Sequence, residues 1–228
     1  MTTAVAPRGA TISVVIPALN EERSLGAAIE SVRDADEIVV VDGGSSDRTL
    51  VVARESGARV LVTNAGRGLQ MAEGARDTHG AWIIFLHADT RLAQRACLFI
   101  RELDPGVAGG AFRLRFDSRR LTYRLLERVV RARTLGLRLP YGDQAIFCRR
   151  EAYTAAGGMP EYPVMEDVAF IRALGRTGPL VFPSIDAVTS PRRYERRGPL
   201  RSSLRNLWLL TRYFAGADVS ALARAYRP

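Results

Sequence analysis

The fold is decided by the segment ISVVIPALNEE (residues 12–22), in which a short apolar run ends in a polar cluster. Three further runs, at residues 37–41, 58–62 and 81–86, end in the same way. All four are rich in Val and Ile and lack clean alternation, which is typical of strands covered on both faces. The clusters that follow them are Pro17-Ala18-Leu19-Asn20-Glu21-Glu22, Asp42-Gly43-Gly44-Ser45-Ser46-Asp47, Thr63-Asn64-Ala65-Gly66-Arg67 and His87-Ala88-Asp89.

Helical segments follow these runs, and we predict helices over residues 20–33, 48–56, 68–78 and 91–103. Asn20 is expected to cap the first of them. The order βαβαβαβα predicts an α/β fold with a mostly parallel central sheet and helices on both faces. Because ligands bind beyond the carboxyl ends of the strands in such sheets, the four polar clusters are expected to meet in one crevice.

The pattern changes in the second half of the chain. Residues 111–116 alternate apolar and basic, which predicts one half-exposed strand. An arginine-rich helix is predicted over 118–134, a short strand over 145–148, and a further helix from Met165 to near Gly175. No linker long enough to separate two independent domains is present, so one domain is expected.

Arginine supplies all of the positive charge, since the 33 basic residues include no lysine. This excludes a phosphate loop of the GxxxxGK[ST] type and a Schiff-base enzyme, both of which need a lysine amine. Residues 1–110 hold 11 Arg and 14 acids, a net charge of −3, while residues 111–228 hold 22 Arg and 10 acids, a net charge of +12. These sum to the chain's +9.

The basic second half is expected either to face an anionic partner or to form a solvated surface. A sugar diphosphate and a phospholipid surface are the anionic partners that fit. Nucleic acid is not expected, because no zinc spacing, helix-turn-helix signature or interleaved aromatic residues accompany the arginines.

Two cysteines, Cys97 and Cys148, lie in apolar settings without a CxxC partner and are expected to be reduced core residues of a cytoplasmic protein. Residues 1–10 are expected to be a flexible tail rather than a signal peptide. Residues 204–215 have helical apolar spacing with Arg205 and Arg212 alongside. This predicts a helix that docks on the core, with a membrane-surface or dimer helix as the alternative.

The chemistry of the polar clusters points to a nucleotide site. The turn after the first run reads Pro-Ala-Leu-Asn instead of GxGxxG, which excludes the dinucleotide-binding fingerprint. Asp42 can accept hydrogen bonds from a base or ribose, and Asp89 can ligate a divalent ion that bridges two phosphates. Gly66-Arg67-Gly68 is either part of this site or a simple turn.

The motifs Val14-Val15-Ile16-Pro17-Ala18-Leu19-Asn20-Glu21-Glu22 and Val40-Val41-Asp42-Gly43-Gly44-Ser45-Ser46-Asp47-Arg48-Thr49 resemble those of the family 2 glycosyltransferases, which have the GT-A fold. The segments His87-Ala88-Asp89-Thr90, Tyr141-Gly142-Asp143-Gln144 and Ser190-Pro191-Arg192-Arg193-Tyr194-Glu195 further resemble a short bacterial subgroup, the radical-SAM/selenodomain-associated transferase 2 proteins. The likeness runs from about Ile12 to the C terminus.

The resemblance implies inverting transfer of a sugar from a nucleoside diphosphate sugar, of UDP or GDP type, to an acceptor hydroxyl. It implies a single GT-A domain over 11–228, with a nucleotide-binding half at 11–107, an acceptor half at 108–200 and a C-terminal helical segment at 201–228. The candidate nucleotide-binding residues are Pro17, Ala18, Asn20, Glu22, Asp42, Gly66, Arg67, His87, Arg192 and Arg193.

Asp89 is the implied ligand of Mn²⁺ or Mg²⁺ in a DxD-type motif, and His87 stands where that motif has its first aspartate. Asp167 is the candidate general base, with Glu166 as the alternative. The candidate acceptor residues are Gly142, Asp143 and Gln144, although a structural turn also explains Asp143.

Arg192 and Arg193 could clamp a diphosphate with paired donors, or form surface charge. The rival function is a non-catalytic nucleotide-sugar-binding or assembly protein on the same fold. Nucleotidyl transfer is not expected, because no LxAGxGxR loop follows the first run. The acceptor is unassigned, a homo-oligomer is compatible with the sequence, and membrane contact is expected to be at most peripheral, at the inner face.

Overall fold

The computed structural model describes residues 10–226, apart from the side chains of Arg193, Arg196, Arg197, Pro199, Leu200 and Tyr226. Most of the tail predicted at 1–10 therefore lies outside the described residues. The strands are β1 (Ile12–Ala18), β2 (Glu37–Asp42), β3 (Arg59–Val62), β4 (Trp82–Phe85), β5 (Thr90–Leu92), β6 (Gly109–Ala111), β7 (Arg113–Phe116), β8 (Ile146–Arg149), β9 (Leu180–Val181) and β10 (Asp186–Thr189).

Ten helices accompany these strands in the described part of the chain, and a 3₁₀ turn at Gly142–Gln144 precedes β8. They are α1 (Leu25–Glu30), α2 (Thr49–Glu55), α3 (Arg67–Arg76), α4 (Ala96–Arg101), α5 (Leu121–Leu137), α6 (Arg150–Ala155), α7 (Glu166–Leu174), α8 (Arg192–Arg197), α9 (Pro199–Phe214) and α10 (Val219–Tyr226).

Seven strands form the central sheet in the order β3-β2-β1-β4-β8-β6-β9, in which only β8 runs antiparallel to its neighbours. Alternate strand residues enter two hydrophobic cores. Val14 and Ile16 pack with α1 and α2 on one face, and Val15 packs with α3 on the other. The predicted mostly parallel sheet with helices on both faces is confirmed, and the carboxyl ends of β1, β2 and β4 share one edge.

The predicted strand over 111–116 is in fact two strands in different sheets. Ala111 pairs with Ile146 in the central sheet, and Arg113 pairs with Asp186 in a three-stranded sheet of order β5-β10-β7. Phe112, fully buried between them, marks the crossing point. Local alternation is the same on both sides of Phe112, so it could not show the change of sheet.

The helix predicted over 91–103 begins late, because its first residues form β5. Thr90 pairs with Thr189 of β10, and their hydroxyls lie 3.0 Å apart. The first predicted helix is also short: α1 starts at Leu25, and Asn20 adopts a left-handed conformation (φ 55°) instead of capping it. Both errors come from partners distant in sequence, which local patterns do not reveal.

The predicted apolar face of the C-terminal helix is only partly correct. In α9, Leu209 and Leu210 are buried, whereas Leu204, Leu207 and Trp208 are about half exposed. The stripe expected to dock on the core therefore faces outward at three of its positions. Within the described part of the chain, no helix is long and apolar enough to cross a membrane.

Both cysteines are buried and unpaired, as the sequence predicted. Burial raises the pKa of the Cys97 thiol to about 12. The thiol is therefore protonated at neutral pH and behaves as a small apolar side chain.

The packing of α3 on β1 and β2 gives a test of the fold. A Cβ at Gly74 would collide with Val15 Cγ1 and lie 2.8 Å from Val41 Cγ2. We expect Gly74→Ala to lower the free energy of unfolding by roughly 1–3 kcal/mol, measured by urea denaturation, because the core is overpacked. Gly136→Ala in α5 is the matched control: no neighbour lies within 4 Å. It should stabilise the helix by about 0.5–1 kcal/mol. Equal effects of the two variants would contradict this packing.

Candidate active site

The loops that follow β1 and β2 are joined by hydrogen bonds between backbone and side chains. Asn20 N–H donates to Ser45 Oγ (2.9 Å), and Glu21 N–H donates to Thr49 Oγ1 (2.8 Å). In the other direction, Ser46 N–H donates to Asn20 Oδ1 (2.9 Å). Each segment thus accepts hydrogen bonds from backbone N–H groups of the other, and these bonds hold the two loops together at the carboxyl edge of the sheet.

Two acids add further hydrogen bonds between the same two loops. Glu22 Oε2 accepts from Arg48 N–H (3.1 Å), and Asp47 Oδ2 accepts from Glu22 N–H (3.2 Å). The predicted nucleotide-binding residues Asn20 and Glu22 therefore hold the loops together in this structure. Any contact that they make with a nucleotide stays a prediction.

Asp42 ends β2 and is fully buried. Its Oδ2 accepts from the N–H groups of Gly44 (2.9 Å) and Ser45 (2.8 Å), and its Oδ1 accepts from Ser45 Oγ. Gly44 has φ +89°, a conformation that a side chain would strain. The carboxylate therefore stabilises the turn at residues 43–45 through these hydrogen bonds. The contact of Asp42 with a base stays a prediction.

Pro17 and Ala18, predicted in the first polar cluster, are the last residues of β1 and are buried in the sheet. Gln70, on α3, reaches this edge: its Nε2 donates to Ala18 O (2.8 Å) and to Val41 O (2.7 Å). Sequence reasoning did not identify Gln70, because an amide within a helical segment gives no sign that it is buried against strand ends.

Asp89 lies just beyond β4, at the same edge, with a side chain that is one quarter exposed. Arg192, which begins α8, places its Nη2 3.9 Å from Asp89 Oδ2 and 2.7 Å from Glu21 Oε2. Ser190 N–H also donates to Asp89 O (3.1 Å). The fold thus brings Arg192 of the basic second half to the predicted crevice. The side chain of Arg193, the second proposed clamp, lies outside the described residues.

Asp167 and His87 meet at Gly142. Gly142 N–H donates to Asp167 Oδ2 (2.8 Å), and Val168 N–H donates to Asp167 Oδ1 (2.8 Å). A Cβ at Gly142 would lie 2.7 Å from His87 Nε2 and 3.5 Å from Asp167 Oδ2. The candidate base is therefore adjacent to the segment that carries Asp89, although the two acids are distant in sequence.

Glu166 is fully buried and forms an ion pair with Arg67, the first residue of α3. Burial raises the pKa of the Glu166 carboxyl, although Arg67 acts in the opposite direction. Gly66 directly precedes α3, and the predicted contacts of Gly66 and Arg67 with a nucleotide stay predictions. The ion pair of Glu166 with Arg67 joins the two halves of the domain.

Gln144 is buried and has its amide satisfied by the protein. Its Nε2 donates to Phe112 O (3.0 Å), and its Oε1 accepts from Thr134 Oγ1 (3.1 Å) and Tyr141 N–H (3.2 Å). Gln144 therefore positions the 3₁₀ turn that carries Gly142 and Asp143. Of the three predicted acceptor residues, Asp143 is the half-buried one.

Among the described residues, no cluster of three or more His, Cys, Asp or Glu side chains is arranged to hold a metal ion. Asp89 offers a carboxylate that is one quarter exposed at this edge of the sheet. This donor set fits Mg²⁺ or Mn²⁺ held mainly by substrate phosphates and water, since such ions commonly take only one or two carboxylates from the protein.

The mostly parallel sheet, with the carboxyl ends of β1, β2 and β4 at one edge, defines an α/β domain of the GT-A class. The chain belongs to glycosyl transferase family 2, whose family model matches residues 13–155, more than half of its length. Asp42, Asp89 and Gly142 fall inside this match, whereas Glu166, Asp167 and Arg192 follow it.

Curated relatives match less than half of the chain. A glucosyl-3-phosphoglycerate synthase from Mycolicibacterium smegmatis is 35% identical over 37% of this chain and 32% of its own length. A PGL/p-HBAD biosynthesis glycosyltransferase from Mycobacterium bovis is 34% identical over 41% of this chain and 43% of its own. The chain thus spans about a third to two fifths of these relatives.

Solved structures of glucosyl-3-phosphoglycerate synthase from Mycobacterium tuberculosis match a larger share of this chain than the curated relatives do. The complex with Mn²⁺ and UDP-glucose has a TM-score of 0.63 and 25% identity, covering 92% of this chain and 80% of that protein. The complex with Mn²⁺, UDP and glucosyl-3-phosphoglycerate has a TM-score of 0.56 and 27% identity, covering 78% and 71%.

The raised pKa of Glu166 predicts a pH-dependent stability. The ordinary pKa of a glutamate is 4.5. The stabilising contribution of Glu166 to the free energy of unfolding is therefore complete below that pH, and it is lost as pH rises through the higher pKa of the folded state. We expect Glu166→Gln, which cannot ionise, to raise the free energy of unfolding at neutral pH. The gain should vanish in acid, as followed by urea denaturation across pH.

Glu161→Gln is the control for this experiment, because Glu161 is about half exposed and pairs with Arg76 on the surface. It should change stability little at any pH. A loss of stability in Glu166→Gln at neutral pH would show that the attraction to Arg67 outweighs the cost of burial.

Proposed function

We propose that this protein transfers a sugar from a nucleoside diphosphate sugar to an acceptor hydroxyl with inversion, assisted by Mn²⁺ or Mg²⁺. The observation that carries the proposal is the contact of Asp167 and His87 through Gly142. Asp167, which we propose as the base, therefore lies near the segment that carries both His87 and Asp89. Inverting transfer needs this pairing of a base near the acceptor with a group that stabilises the departing diphosphate.

The relatives support the choice of donor and metal. The synthase structures from M. tuberculosis contain UDP or UDP-glucose with Mn²⁺, and one contains Mg²⁺ with UDP. We infer a UDP-type donor for this chain, with GDP as the alternative to be tested. Asp89 would hold the ion, which would neutralise charge on the leaving diphosphate.

The protein groups then have distinct tasks. Asp167 would accept the proton of the acceptor hydroxyl, and the Gly142 N–H bond keeps its Oδ2 in place for this role. Arg192, held near Asp89 by Glu21, would donate to a phosphate oxygen. Glu166, the alternative base, is paired with Arg67 away from solvent, which favours Asp167.

The finer parts of the proposal rest on the sequence. Membership of the radical-SAM/selenodomain-associated transferase 2 subgroup is supported by the segments around His87, Tyr141 and Ser190. We also infer a cytoplasmic place of action, with peripheral contact at the inner membrane face, and a homo-oligomer is a further proposal.

Nucleotide binding can be tested by titration calorimetry. We expect UDP to bind in the presence of Mn²⁺, and both a chelator and Asp89→Ala to weaken binding at least about tenfold, because Asp89 would hold the ion that neutralises the phosphate charge. Asp117→Ala, an exposed acid paired with Arg91, is the matched control and should bind normally. If neither chelation nor Asp89→Ala alters affinity, the metal is not part of the site.

The base can be tested by following release of UDP from UDP-glucose, with water or an added alcohol as acceptor. Asp167→Asn keeps the side-chain shape and should leave UDP affinity intact while lowering turnover roughly a hundredfold or more. Glu166→Gln is the control and should stay active. Activity lost only in Glu166→Gln would exchange the two roles. If the parent binds UDP but transfers sugar to no acceptor, the non-catalytic function is correct.

A further inference from the structure

Helix α5 has apolar residues on both of its faces. Tyr123, Glu127, Val130 and Thr134 face inward and are buried. On the opposite side, one stripe at helical spacing contains Leu121, Leu125, Val129, Ala132 and Leu135, all of them exposed. Leu121 is 84% exposed, Leu125 62% and Val129 58%. The solvent face of a surface helix normally carries charged and polar residues. The apolar solvent face of α5 is typical of a surface that binds a partner.

The charge on this surface has one sign. Arg128 is exposed within the stripe, and Arg119 and Arg120 are exposed just before the helix. Glu127 is the only acid between residues 118 and 138, and it is buried in ion pairs with Arg115 and Arg124. The exposed face of α5 is therefore apolar and cationic.

Helix α9 carries a second face of the same kind and packs against α5. Leu204, Leu207 and Trp208 are exposed there, with Arg201 and Arg212 also exposed. Two neighbouring helices, distant in sequence, thus combine exposed leucines with arginine. This combination is typical of helices that lie in the surface of an anionic membrane.

We propose that the outward face of α5, defined by Leu121, Leu125, Arg128 and Val129, docks this protein onto an anionic phospholipid bilayer. The leucines would enter the boundary between headgroups and acyl chains, and the arginines would contact lipid phosphates. The occupant is a lipid surface and not a second copy, because a second copy would bring the same arginines and no exposed acid from α5. The proposal is independent of the sugar transfer proposed above.

Co-sedimentation with vesicles tests this surface. The full chain should bind vesicles of phosphatidylcholine with phosphatidylglycerol, more weakly at high salt, and should bind pure phosphatidylcholine poorly. Leu125→Ser with Val129→Ser should lower the partition coefficient at least about tenfold, because apolar contacts are lost. Arg128→Gln should lower it roughly fivefold on anionic vesicles alone.

The matched control is Val62→Ser with Leu98→Ser, two exposed apolar residues in the nucleotide-binding half. This variant should bind vesicles like the parent, and the thermal midpoint of each variant should stay unchanged because the substituted residues are exposed. Absence of parent binding to anionic vesicles overturns the proposal. So does an equal loss in the control variant, or a parent dimer, seen by light scattering, that Leu125→Ser with Val129→Ser converts to monomer.

Discussion

The candidate site depends on the way the edge of the parallel sheet is closed. A strand that ends leaves carbonyl groups without a strand partner, and buried carbonyls need a donor. Gln70 Nε2 donates to both Ala18 O and Val41 O at the ends of β1 and β2, and Ala18 O accepts a second bond from Gly43 N–H. The same amide packs against Gly43, where a Cβ would lie 3.1 Å from Nε2. A buried side chain of α3 thus fixes the point from which both loops of the crevice start.

The same helix connects this edge to the second half of the domain. Arg67 lies one turn before Gln70 and pairs with Glu166, whose neighbour Asp167 bonds to Gly142. A movement of α3 would therefore disturb the strand ends and the candidate base together. Burial raises the pKa of the Glu166 carboxyl, because water cannot solvate its ionised form there. The ion pair of Glu166 with Arg67 therefore serves to hold α3 and α7 together, and it adds little to the stability of the fold.

Much of the fold could be predicted from the sequence because its strongest determinants are local. Short Val- and Ile-rich runs separated by helices indicate a parallel sheet, and all four predicted strands of the first half exist. The errors share one cause. The split at Phe112, the strand β5 and the outward stripe of α9 all depend on which distant segment packs nearby. Hydrophobic spacing predicts that a helix has an apolar face, but it cannot say whether protein covers that face.

The site was predictable to a different degree. Strand ends located Asp42 and Asp89, since topology alone brings them to one edge. The adjacent acids at 166 and 167 looked interchangeable in sequence, yet the fold separates them: one is paired with Arg67, and the other is held by Gly142 next to His87. The position of the Asp167 carboxylate is set in part by a backbone hydrogen bond from a glycine 25 residues away. Gln144 in turn holds the 3₁₀ turn that carries Gly142, so the position of Asp167 also depends on a buried amide in another element.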